Sequence, residues 1–258
     1  MKISSLPFVA LLVVFGAMPA SAQTGDLKIH FEYGGTPPDA TEVDVNKDVE
    51  FCGRNKLFSD RLLVNKQNKG IKNVIVYVYT GRGGSKLDKV EPAKNTLTLA
   101  NKDCRFEPHI VIAQTGDTLK VTNPDAVGHN ANLGFFNNKQ QNFTIPSGQE
   151  KSVELEKDEP APIPVDCNIH PWMSAKVVVK DLPYAAVSDA DGKLTIKNLP
   201  VGTWTFQFWH ERPGYVTDVT VGGKKTTWKR GRVELTIKPG QNDLGTIKVS
   251  ASHLAEKN

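Results

Sequence analysis

The sequence predicts an all-β fold assembled from β-sandwiches, and three observations carry that expectation. Short alternating or β-branched runs are frequent, Gly, Pro, Asn and Asp clusters separate them, and apolar residues at helical spacing are scarce. In chain order the runs are Leu27–Tyr33, Asn73–Thr80, Thr96–Ala100, Ile110–Ala113, Thr118–Thr122, Asn142–Ile145, Ser152–Leu155, Ala175–Val179, Lys193–Ile196, Thr203–Trp209, Val216–Val221, Arg232–Ile237 and Gly245–Val249. Many short strands with frequent turns are the pattern of sandwiches. Residues 36–70 are polar and irregular, with a short helix expected near 56–63.

The chain opens with an export address. Lys2 gives a positive start, Leu6 to Gly16 is nearly unbroken apolar sequence, and Ala20-Ser21-Ala22 offers small residues for cleavage before Gln23. The expected location is periplasmic or secreted. The apolar run is short for a membrane span, and no later stretch approaches the roughly 18–20 residues that one needs. Taking the signal's single lysine from the total charge of +4 leaves +3 on the remaining 236 residues. That mild balance gives no case for nucleic acid. The cluster Lys224, Lys225, Lys229, Arg230 and Arg232 reads as a solvated hairpin face.

Three cysteines in an exported chain suggest one bridge and one leftover thiol. Sequence alone leaves three pairings open. The expected one is Cys52 with Cys104, because metal ligation gives Cys167 a reason to stay free.

Cys167-Asn168-Ile169-His170-Pro171-Trp172-Met173 puts a thiolate, an imidazole and a thioether within seven residues. Copper cycling between Cu(I) and Cu(II) suits that mixture, since two His, one Cys and a weak axial Met form the blue-copper set. His129 supplies the second imidazole. It follows the turn and strand pattern Gly116 to Asn123, and the interval to Cys167 leaves room for two or three short strands. Asn130, directly after it, can hydrogen-bond the cysteine loop and stiffen the site. Of the three methionines, Met1 and Met18 belong to the signal, so Met173 alone remains, where an axial ligand is needed. Structural zinc would want a second Cys-x-x-Cys or a His pair. A multicopper oxidase would want more than the six histidines present.

Residues 104–180 resemble a cupredoxin domain of the amicyanin and plastocyanin branch. The resemblance rests on Cys167-x-x-His170-Pro171-x-Met173 with His129-Asn130 upstream, and on Phe106-x-Pro108, Gly116-Asp117-Thr118 and Asn123. It implies a Greek-key β-sandwich, one copper ion held by His129, Cys167, His170 and Met173, and Asn130 locking the loop. Residues 184–211, with Leu199-Pro200-x-Gly202 between two strand patterns, resemble a carboxypeptidase regulatory-like (transthyretin-like) β-sandwich. Asp189-x-Asp191-Gly192 there is a tight turn, since Pro200 stands where a calcium loop would need Glu. Gly81-Arg82-Gly83-Gly84 lacks the Lys-Ser/Thr helix start of a phosphate cradle.

The expected organisation is therefore a signal over 1–22, an extended cupredoxin over 23–181 with its core at 104–180, and a second small β-sandwich over 182–258. In the alternative, Leu27–Thr36 and Ile71–Thr80 open the second sandwich and the copper domain is inserted. The expected function is single-electron transfer between redox partners, without catalysis. The partner would be a protein such as a c-type cytochrome or a dehydrogenase. His170 is expected near the surface as the transfer edge, with Pro171 and Trp172 forming an apolar docking patch. Copper delivery and a surface interaction module with structural copper are the alternatives. His210 is expected to pair with a neighbouring carboxylate, and His109 to be structural.

Overall fold

The computed structural model describes residues 23–54 and 56–256, and the expected signal over 1–22 lies outside them. The described chain is all-β, with four sheets paired into two sandwiches. In the first, one sheet runs in the order Ile110–Gln114, Ser174–Lys180, Ile163–Asp166, His129–Leu133, Gln141–Ile145. The other runs Arg105–Glu107, Thr96–Lys102, Thr118–Thr122, Glu150–Glu154. Their inward-pointing residues, among them Leu99, Leu119 and Val121 from one sheet and Leu133, Val165 and Val177 from the other, form one core. Alternation puts every second side chain there, and each fully buried Val, Leu or Ile contributes about 1.5–3 kcal/mol.

The second sandwich departs from the expected division at 181/182. Thr24–Gly34 lies between Lys193–Pro200 and Gly240–Ser250, with Phe31 opposite Ile247. Ile75–Val78 lies between Ala185–Val187 and Gly202–His210, with Val76 opposite Phe208. Both early strands therefore belong with the late ones, which is the inserted arrangement. The cause is side-chain chemistry. Leu27, Ile29, Phe31 and Tyr33 face one way and enter the second core, where Phe31 meets Phe208 edge-on at 6.1 Å. Ile75–Val78 is an unbroken apolar run because both its faces are covered. Val76 and Val78 enter the second core, while Ile75 and Tyr77 meet Ile110, Val178 and Trp209 between the sandwiches. The chain leaves the second sandwich after Val78 and rejoins it at Tyr184, whose carbonyl accepts from Val78 N at 3.0 Å.

The segment 41–60 is a strap on the first sandwich. Its helix is Val49–Cys52, in place of the expected one near 56–63. Residues 57–59 are drawn instead into extended pairing, with Val43 N donating to Leu57 O at 2.9 Å and Ser59 N to Thr41 O at 2.9 Å. Two anchors fasten the strap. Cys52 is disulfide-bonded to Cys104. Arg105 Nη1 donates to both oxygens of Asp60 at 2.9 and 3.0 Å, and its Nη2 donates to Phe58 O at 2.9 Å. No helix among the described residues is long and apolar enough to cross a membrane.

Candidate metal centre

One end of the first sandwich gathers the sulfur- and imidazole-bearing residues. His129 opens the strand His129–Leu133. Cys167 to Met173 form the connection between Ile163–Asp166 and Ser174–Lys180, whose ends pair Asp166 with Ser174. The connection closes on itself, with Cys167 N donating to Met173 O at 3.2 Å and Met173 N to His170 O at 2.9 Å. A strand start and a hairpin connection are thus the two pieces of backbone that hold the site.

Ligand-type atoms of His129, Cys167 and His170 all lie within 4.8 Å of one another, and all three residues are buried. Cys167 is a free thiol, its Sγ 3.7 Å from His170 Nδ1 and accepting from His170 N at 3.4 Å. His129 Nδ1 and His170 Nδ1 are 3.0 Å apart. Met173 is buried at the end of the same connection and packs in the same core as Cys167.

The far nitrogens decide the tautomers. His129 Nε2 is 2.9 Å from Asp125 Oδ2, and His170 Nε2 is 2.7 Å from Asp48 Oδ2. A carboxylate only accepts, so each Nε2 carries its proton. Burial lowers the His129 pKa below its ordinary 6.5, against the opposing pull of Asp125. Its ring is therefore neutral at pH 7, with the Nδ1 lone pair free and facing His170. His170 Nδ1 lies 3.0 Å away, and the Cys167 sulfur stands beside both rings. The two-imidazole, one-thiol donor set with a neighbouring thioether fits copper.

Asp125 is itself buried and satisfied, accepting from Asp103 N at 2.8 Å and Cys104 N at 2.9 Å. Asn130 Oδ1 accepts from Asn168 N at 2.6 Å and Ile169 N at 3.3 Å, while its Nδ2 donates to Asn142 Oδ1 at 2.8 Å. It thereby ties the cysteine loop to the hairpin beside it. Trp172 Nε1 donates to Cys104 O at 3.1 Å, and its ring centroid lies 5.2 Å from that of His170. Pro171, Trp172 and Met173 line a cleft of about 440 Å³ with Phe58, Arg61 and Lys176.

Two expectations change. His170 is fully buried, not a surface edge, because Asp48 and the strap cover it. His210 stands apart from the metal centre. It is buried, accepts from Arg212 N at 3.2 Å through Nδ1, and is held neutral, burial pushing its pKa down to about 4. The carboxylate beside it, Glu211, pairs instead with His109 Nε2 at 2.7 Å and Lys176 Nζ at 3.1 Å.

Asp48 and Asp125 were not foreseen. Asp125, four residues before His129, carries a local signal, since a nearby carboxylate is a common partner for a ligating imidazole. Asp48 carries none, being 122 residues from His170. A second grouping of Cys104, Asp125 and His129 is not a metal site, because Cys104 is oxidised.

No family model matches the chain, and no curated protein matches it. Among solved structures it is similar to an amicyanin variant, at 20% identity over 33% of this chain and 82% of that one, with a TM-score of 0.29. It is also similar to a purple cupredoxin from Nitrosopumilus maritimus, at 22% identity over 33% of this chain and 99% of that one, TM-score 0.28. A copper-containing nitrite reductase from Thermus scotoductus is similar at 18% identity over 40% of this chain and 25% of that one, TM-score 0.30.

Proposed function

We propose that this protein is an exported mononuclear blue-copper protein that carries single electrons between redox partners and catalyses no reaction itself. His129, Cys167 and His170 would hold the ion, with Met173 as the weak fourth ligand. The observation that carries the reading is the convergence of two buried imidazole Nδ1 atoms, 3.0 Å apart, beside a free buried thiol. Copper, when bound, supplies the one-electron exchange.

The chain's own residues support that task. Asp125 and Asp48 fix the two imidazole tautomers, and Asn130 holds the cysteine loop. Burial keeps water from the sulfur and both rings. Donors fixed in advance leave little to rearrange between two oxidation states.

A second reading, copper holding and delivery without electron traffic, is favoured by the burial of His170 beneath Asp48. That cover removes the most direct edge for electron exchange.

The test is to load residues 23–258 with Cu(II) and record visible absorption and electron paramagnetic resonance beside a Cys167→Ser control. An intense blue thiolate band with small hyperfine splitting, absent from the control, supports the site. A colourless protein, or a spectrum indifferent to Cys167, defeats it. A reversible potential with fast self-exchange then favours the carrier, and ready loss of Cu(I) to a chelator favours delivery.

A further inference from the structure

We infer that Asp48 is a positioning residue of the metal centre, holding His170 in the tautomer that points Nδ1 at the ion and covering the outer edge of its ring. The inference rests on the copper reading above.

Asp48 Oδ2 accepts from His170 Nε2 at 2.7 Å, and the two side chains differ sharply in exposure, 42% for Asp48 against 0% for His170. The carboxylate is thus the layer between a buried imidazole and water. Its placement is built into the backbone. Asp48 adopts the left-handed conformation, φ 45° and ψ 43°, at the head of the turn Val49–Cys52. Asp, Asn and Gly tolerate that region, whereas most side chains clash there. Asp48 O accepts from Phe51 N at 2.9 Å and Cys52 N at 2.8 Å, so the turn fixes the residue that caps it.

The disulfide then joins the two carboxylates of the site. Cys52 lies four residues after Asp48, and its partner Cys104 donates its backbone N–H to Asp125, the carboxylate on His129. Trp172 bonds Cys104 O and lies against the His170 ring. One cystine therefore sits at the junction of everything that orients both imidazoles. An isolated, half-exposed ion pair has little value. An acceptor on the far nitrogen of a ligating histidine is different, because its loss typically costs 10–100-fold in metal affinity.

Asp48→Gly removes the carboxylate without straining the backbone. Asp48→Asn keeps both the conformation and a carbonyl acceptor for Nε2–H. The experiment measures the His170 tautomer in the metal-free protein by ¹⁵N chemical shifts, and the dissociation constants of Co(II) and Cu(II), for the wild type and both variants. Asp48→Gly is expected to mix the His170 tautomers and weaken metal binding by about 10–100-fold. Asp48→Asn is expected to restore the single tautomer and bring affinity back to within a few-fold of the wild type. An unchanged tautomer and affinity in Asp48→Gly overturns the assignment, even if its melting temperature falls, because a merely structural strap would behave that way. Failure of the wild type itself to take up one equivalent of either metal overturns the copper reading, and this inference with it.

Discussion

Nδ1 of His129 and Nδ1 of His170 face each other at 3.0 Å, each ring's other nitrogen committed to a carboxylate. A cation held by both rings would bind the folded chain and not the unfolded one, so metal should stabilise the fold. With free Cu(II) at a hundred times its dissociation constant, the gain is about 2.7 kcal/mol. For a chain of this size that raises the melting temperature by roughly 5–10 °C. Differential scanning calorimetry checks it, and a chelator should reverse the shift. His129→Ala should show no shift, whereas equal shifts in both proteins would place the metal elsewhere.

Asn130 tests the rigidity of the cysteine loop. Asn130→Ala leaves Asn168 N–H and Ile169 N–H without their acceptor and Asn142 without its donor. The expected cost is about 1–3 kcal/mol. Amide exchange at Asn168 and Ile169 should accelerate. Asn130→Asp keeps the acceptor and should recover most of that protection. Unchanged exchange in Asn130→Ala would show that the loop is held by other contacts.

Acid should destabilise the fold in two stages. His210 is buried neutral with a pKa near 4, against an ordinary 6.5. The unfolded chain binds its proton first, so stability is lost as pH falls from about 6.5 towards 4. For Glu211, burial alone would raise the pKa, but His109 and Lys176 outweigh it and hold it at about 2. Its contribution is present above 4.5 and is lost as pH falls through 2; it is on the order of 3 kcal/mol. Urea titrations from pH 7 to 2.5 check this. Glu211→Gln should flatten the lower stage and leave the upper one, and a profile identical to the wild type would refute the assignment.

The Cys52–Cys104 bridge spans 52 residues of sequence. In the chain-entropy account, closing a loop of that size is worth roughly 4 kcal/mol. Cys52→Ser with Cys104→Ser should therefore melt well below the wild type and make the backbone around residues 41–60 cleavable by a protease. An undiminished melting temperature would mean that Arg105 and its partners hold the strap unaided.

Most of the sulfur and imidazole cluster was legible because Cys167, His170 and Met173 lie close in sequence. Cys167, His170 and Met173 share one connection, and the backbone bonds that close it run within seven residues. Asn130 was legible for the same reason, as the neighbour of His129. Asp48 was not, since nothing local in an irregular polar segment marks a residue that bonds another 122 positions away. The burial of His170 follows from Asp48 and was hidden with it. The strand runs were largely visible from alternation, but pairing is a separate matter. Leu27–Tyr33 shows which face is apolar, and not that its neighbours begin at Lys193 and Gly240. A boundary drawn at the clearest break therefore cut the second sandwich in two.

That inserted arrangement sets an order of assembly. The first strand, Thr24–Gly34, is flanked by two late strands, Lys193–Pro200 and Gly240–Ser250. A polypeptide delivered amino end first cannot flank that strand on both sides until residues near 250 arrive. The guest sandwich draws all its strands from Thr96 to Lys180, and its strap at 41–60 comes earlier in the chain. The guest can finish while its host is still open, and pairings across long stretches of chain close slowly. Pulsed hydrogen exchange during refolding should show Val121 and Val165 protected before Phe31. The reverse order would mean that the outer sandwich closes around an unfinished interior.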